Sequence, residues 1–149
     1  MSKFKGHVWG AATCFVVYLC AMGHWAKPRG NWEIALWLII CVLAAIWPDV
    51  DTNSIGQNIF YGSFLLIDLF LMYRGDYREA AFLGLFALLP IVGRHRGWTH
   101  TLWAMVLIPL PLLIIPMLAY KNFDLSGLPY YLAGVTGYFS HLLLDRKFL

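Results

Sequence analysis

Imidazoles and carboxylates are costly inside strongly apolar chains and persist there mainly where they are used, so they are the first place to look for chemistry. This 149-residue chain keeps four such groups: His7; Asp49 with Asp51; His95 with His100; and His141 with Asp145. Their spacing suits metal binding. His141 and Asp145 are four apart, so on a helix they share one face and can grip one ion. Asp49 and Asp51 are two apart behind Pro48. In an extended turn both carboxylates would project the same way. His95 and His100 would diverge on a regular helix, but Gly97 between them permits a turn that reunites the imidazoles. Four histidines and three aspartates exceed the needs of one ion with an open coordination position, so one or two divalent ions are expected. Mixed imidazole and carboxylate donors suit zinc, manganese or iron.

The elements that must position these groups are read from apolar runs. The chain is 60% hydrophobic and only 13% charged, with seven Trp and eight Tyr, and its mean hydropathy is +0.66. A soluble domain of this size has too little interior for so many apolar side chains, so lipid must solvate much of the surface. A net charge of +3 without a basic run disfavours nucleic-acid binding. Six apolar segments follow, near Val8–Gly23, Ile34–Trp47, Ile55–Tyr73, Ala80–Gly93, Thr101–Tyr120 and Leu128–Leu144. The second and fourth are short for a crossing of about 20 residues; four spans with two re-entrant segments is the alternative. The expected fold is an all-α membrane protein, a compact bundle of about six transmembrane helices in a single domain over residues 1–149, with a metal site at one membrane face.

Local signals set the breaks. Pro48 should disfavour a helical conformation at Trp47 and end the second helix. Asn53 and Ser54 are ready N-caps for the third helix and Thr99 for the fifth. Arg74-Gly75-Asp76 closes the third. Pro109, Pro111 and Pro116 should kink the fifth. Lys3 and Lys5 precede an apolar run without a convincing small-residue cleavage site, so a retained first helix is expected rather than a secretory signal. Cys14, Cys20 and Cys41 lie in apolar stretches with no C-x-x-C pair and read as small hydrophobes.

With six crossings, the N-terminus, second loop, fourth loop and C-terminus share one side of the membrane, and all four polar groups fall there. Each group alone also suits a structural role: a helix cap for the Asp pair, a helix-end pair for His141 and Asp145, interfacial anchors for His95 or His100, a surface residue for His7. Their common side is what favours a shared site. His24 reads as a loop residue. Asp68 falls deeper in the third segment and reads as a hydrogen-bonded group, with a weaker case for supporting the site or a proton path.

The blocks Gly6-His7, Pro48-Asp49-Val50-Asp51, His95-Arg96-Gly97-Trp98-Thr99-His100-Thr101 and Gly137-Tyr138-Phe139-Ser140-His141-Leu142-Leu143-Leu144-Asp145 together resemble the YdjM-like family of inner-membrane metal-dependent hydrolases. The resemblance covers almost the whole chain, with the blocks in family order. It implies a bacterial inner membrane and a metal-dependent hydrolase; the family is also described as LexA-binding or LexA-regulated, which no residue here supports.

Joined to the residues, it suggests hydrolysis of a phosphoester on a lipid-like substrate drawn from the bilayer. The ligands would be His7, Asp49, Asp51, His95, His100, His141 and Asp145. Asp51 or His100 could serve instead as general base. Arg94 and Arg96 could clamp a phosphate bidentately or simply hold orientation. Two rivals are a scaffold or regulatory protein with a structural metal and a metal or proton transporter; the latter normally needs a midplane site reached from both faces. Six basic residues on the site's side against five on the other barely bias orientation, and the N-terminal Lys3 and Lys5 tip it to a cytoplasmic site.

Overall fold

The computed structural model describes residues 4–23, 25–50, 55–89, 98–119 and 125–145. Among these there is no strand. The helices are α1 (Phe4–Met22), α2 (Asn31–Ile46), α3 (Ile55–Arg74), α4 (Tyr77–Leu88), α5 (Leu102–Leu107), α6 (Leu110–Ala119) and α7 (Leu128–Leu144), with 3₁₀ turns at Trp47–Asp49, Trp98–His100 and Leu125–Gly127. With α5 and α6 counted as the two halves of the fifth segment, the described residues form six helical segments. α1, α3 and the run Asn31–Asp49 are long and apolar enough to cross a membrane. At 1.5 Å rise per residue, α1 and α3 extend about 28–30 Å, close to the thickness of a hydrocarbon core.

α1, α2 and α7 pack together at the centre. Lipid tails are as apolar as leucine, so membrane helices associate through close packing and interhelical hydrogen bonds rather than transfer from water. Both occur here. The buried residues of α1 (His7, Ala11, Phe15, Tyr18) recur every three or four positions, as do Glu33, Trp37, Cys41 and Ala45 of α2, with Ile46 buried beside the last, one stripe per helix. Gly137 lets α7 cross directly against α2, because a Cβ there would collide with the Cys41 carbonyl. The Cys41 thiol in turn points to the Ala11 carbonyl at 3.7 Å, and the Tyr18 hydroxyl donates to the Pro129 carbonyl at 2.7 Å. Cys41 is buried, Cys14 half-buried and Cys20 exposed, all three free thiols. α5 and α6 flank α7, while α4 packs on α3. The outer face of α3 is a run of exposed apolar side chains, Leu65, Leu66, Ile67, Leu69 and Phe70, as a lipid-facing surface requires.

Three local expectations are corrected. Trp47 stays right-handed helical (φ −56°, ψ −41°) despite Pro48, and the chain tightens into a 3₁₀ turn ending at Asp49, with Val50 also helical (φ −67°, ψ −20°) rather than extended. The burial of Trp47 and Val50 in one cluster with Phe60, Ala104, Tyr138 and Leu142 overrides the local preference. The α5 cap is Thr101, whose Oγ1 accepts from Ala104 N–H at 3.2 Å; Thr99 is buried in the preceding turn. The fifth segment is broken outright into α5 and α6 at Pro109, with Pro116 inside α6. As expected, Gly75 ends α3, its φ of 83° supplying the left-handed residue of a helix C-terminus. Asn53 and Ser54 lie outside the described residues.

Candidate metal centre

One end of the bundle gathers side chains from four places in the chain. His7 comes from the first turn of α1, Asp49 from the 3₁₀ turn after α2, and His100 from the turn before α5. His141 lies in the last turn of α7, and Asp145 is that helix's C-cap. His7 Nε2 lies 3.7 Å from Asp49 Oδ2 and 3.6 Å from Asp145 Oδ1. His100 Nε2 lies 3.4 Å from Asp49 Oδ1 and 3.9 Å from Asp145 Oδ2. The corresponding distances from His141 Nε2 are 3.8 and 3.7 Å. The two imidazole nitrogens of His100 and His141 are 3.3 Å apart, and the rings of His7 and His141 stack at 4.1 Å. The three imidazoles and Asp145 are largely enclosed, whereas the Asp49 side chain keeps 30% of its surface exposed and marks the open side.

The surroundings orient the donors. His141 Nδ1 lies 2.8 Å from the Ala45 carbonyl. A carbonyl only accepts, so in the neutral imidazole Nδ1 carries the proton and the Nε2 lone pair faces the cluster. This carbonyl–histidine contact is of the kind that holds metal-ligating imidazoles in register. His100 Nδ1 lies 3.1 Å from Thr99 Oγ1; when that hydroxyl accepts, His100 Nε2 likewise presents a lone pair inward. The Tyr138 hydroxyl donates to the Thr99 carbonyl and ties this turn to α7.

This arrangement fits a cation. Two imidazole nitrogens facing one another at 3.3 Å must share a proton or a cation. Beside them stand two carboxylates. Asp145 Oδ1 is buried without a hydrogen-bond partner among the described residues. The separations between donors, 3.3–3.9 Å, exceed normal hydrogen bonds. They approach the roughly 3.3–3.4 Å between two donors that each sit about 2.0–2.1 Å from a tetrahedral ion. His7, Asp49, His141 and Asp145 can each turn a ligand atom to within 4.8 Å of the others.

Of the candidates read from sequence, the structure brings together His7, Asp49, His100, His141 and Asp145. Asp51, His95, Arg94 and Arg96 lie outside the described residues, as does His24. Asp68 lies elsewhere: it lines a cleft of about 300 Å³ between α3 and α4, with Tyr61, Phe64 and Gly84, and none of the ion pairs of the cluster involves it. Sequence reasoning missed the Ala45 carbonyl, which no side-chain identity announces, and gave no role to Tyr138, which it placed only within a motif block. It also missed Glu33, buried at the far end of the bundle. There Glu33 Oε1 accepts from the Tyr130 hydroxyl and Oε2 from the Arg29 N–H, both at 2.6 Å. The signal for Glu33 was its place as the third residue of α2, where a carboxylate reaches back to the chain entering the helix.

A family model described as YdjM inner membrane protein matches residues 1–146. No curated protein and no solved structure matches the chain.

Proposed function

Because this chain belongs to the YdjM inner membrane protein family, we propose that it is a metal-dependent hydrolase of the bacterial inner membrane, acting on a phosphoester of a lipid-like substrate. The observation that carries this reading is the meeting of three imidazole Nε2 atoms and two carboxylates at one end of an apolar helical bundle. A divalent ion held there, zinc, manganese or iron by donor type, would supply Lewis acidity and lower the pKa of a bound water toward neutral pH. The protein's own part is to hold the donors. Ala45 and Thr99 set the imidazoles of His141 and His100, and Tyr138 pins the turn that carries both Thr99 and His100. Asp49, on the open side, faces whatever approaches. Asp51 remains the general-base candidate, with His100 better placed as a ligand; Arg94 and Arg96 are the candidate phosphate clamp.

Exposed aromatics support a substrate taken from the bilayer. Trp9 and Trp103, 74% and 78% exposed, stand two or three residues from His7 and His100. Trp25, Trp32, Tyr73 and Tyr77 are exposed at the other end. Such rings favour the headgroup region, so the cluster lies at headgroup depth, where an amphiphile can present a phosphoester with its tail still in lipid. Six crossings with the site facing the cytoplasm complete the proposal. A donor cluster at one end suits transport through a midplane site poorly, and the partly exposed Asp49 suits a closed structural metal poorly.

Elemental analysis of detergent-purified protein is the direct test. Metal should co-purify with the wild type and be absent from His141→Ala and Asp49→Ala, with phosphoester turnover lost in parallel. Wild-type metal content persisting in those variants would refute the assignment.

A further inference from the structure

The two carboxylates do not point their oxygens at random. Asp49 turns Oδ2 toward His7 and Oδ1 toward His100 and His141. Asp145 does the same with its labels reversed, Oδ1 toward His7 and Oδ2 toward His100 and His141. Each carboxylate thus spans the gap between one imidazole on one side and two on the other. The histidines divide in the same way. His100 and His141 Nε2 are 3.3 Å apart, the spacing of neighbours around one ion. His7 instead stacks its ring on that of His141 at 4.1 Å and nearly parallel, with 16° between planes.

A single ion between His100 and His141, bound by Asp145 through Oδ2, would leave Asp145 Oδ1 idle. Burying a carboxylate oxygen without a partner is costly, yet Asp145 Oδ1, on the His7 side, is buried and has no hydrogen bond among the described residues. A second cation beside His7 accounts for it. Ions in two-metal sites stand about 3.5–4 Å apart, close to the offset between the stacked His7 and His141 rings.

We propose that the cluster holds two divalent ions bridged by both carboxylates: one between His7, Asp49 Oδ2 and Asp145 Oδ1, the other between His100, His141, Asp49 Oδ1 and Asp145 Oδ2. This rests on the metal-site reading above and goes beyond it in number and in the division of ligands. The His7 ion takes fewer described ligands and is the more weakly held of the two.

Manganese titration of the chelator-stripped full chain, followed by electron paramagnetic resonance, separates the possibilities. The wild type should take up two Mn(II) per chain and give the broadened spectrum of an exchange-coupled pair. His7→Ala should fall to one ion per chain with the six-line spectrum of isolated Mn(II). His7→Gln, which keeps a polar group in the first turn of α1, should do the same and guards against a folding defect in the alanine variant. One ion per chain with an isolated spectrum in the wild type would overturn the two-ion proposal and leave the hydrolase reading standing. No Mn(II) uptake in the wild type would sink both. Two coupled ions persisting in both His7 variants would overturn the division of ligands.

Discussion

The two ends of the bundle each bury a carboxylate, and they treat it in opposite ways. At the far end, Glu33 has both oxygens met by protein donors at 2.6 Å, the Tyr130 hydroxyl and the Arg29 N–H, so its network is closed. At the other end, Asp49 and Asp145 face imidazole nitrogens at 3.4–3.9 Å, and the His141 nitrogen presents a lone pair because its proton is committed to Ala45. The first is a satisfied hydrogen-bond network that ties α2 to α7. The second is a converging set of acceptors, a cradle for positive charge. Burial alone therefore says little about function; the sign of what faces the buried group decides it.

The largest effect should come from the acceptor end. Asp145→Ala or His141→Ala should abolish metal retention and turnover, while the helical circular dichroism of the purified protein stays near that of the wild type. Glu33→Ala should do the reverse. Leaving the Tyr130 hydroxyl and Arg29 N–H without their acceptor should cost about 2–3 kcal/mol of stability, read as a lower unfolding temperature in detergent, with metal content unchanged. If Glu33→Ala removed the metal, the two ends would not be independent.

A subtler break lies in the residues that hold the ligands. Tyr138→Phe frees the Trp98–His100 turn from α7, and metal affinity should fall about 10–100-fold, measured by competition with a chromogenic chelator. Thr99→Val should act in the same direction through His100, and Thr99→Ser, which keeps the hydroxyl, should restore most of the affinity. The smallest effect is expected at Asp68. Asp68→Leu should leave metal stoichiometry and affinity unaltered, because Asp68 faces the α3–α4 cleft rather than the cluster; a loss of metal would place it in the site after all.

Much of the site was legible because membranes make polar residues conspicuous. His7, Asp49, His100, His141 and Asp145 stood out against apolar surroundings, and counting crossings put them at one end before any distance was known. Less legible was anything governed by contact across the chain. The residue before a proline normally avoids the helical region, yet Trp47 is helical, because its indole is buried against Tyr138 and Phe86. Thr99 had the chemistry of a cap, but its burial beside His100 made it an orienting group and left the cap to Thr101.

The amino-acid sequence by itself determined that the chain is helical and apolar, where most of its described segments begin and end to within a few residues, and which side chains are too polar for lipid to leave idle. These are local matters, settled by composition, by periodicity and by the cost of charge in hydrocarbon. Only the tertiary structure decided which donors meet, which oxygen of each carboxylate faces which imidazole, and which nitrogen of His141 holds the proton. Those depend on backbone groups such as the Ala45 carbonyl and on the close crossing at Gly137, where α7 reaches α2. Such contacts join positions remote in the chain, and no local pattern encodes their distances.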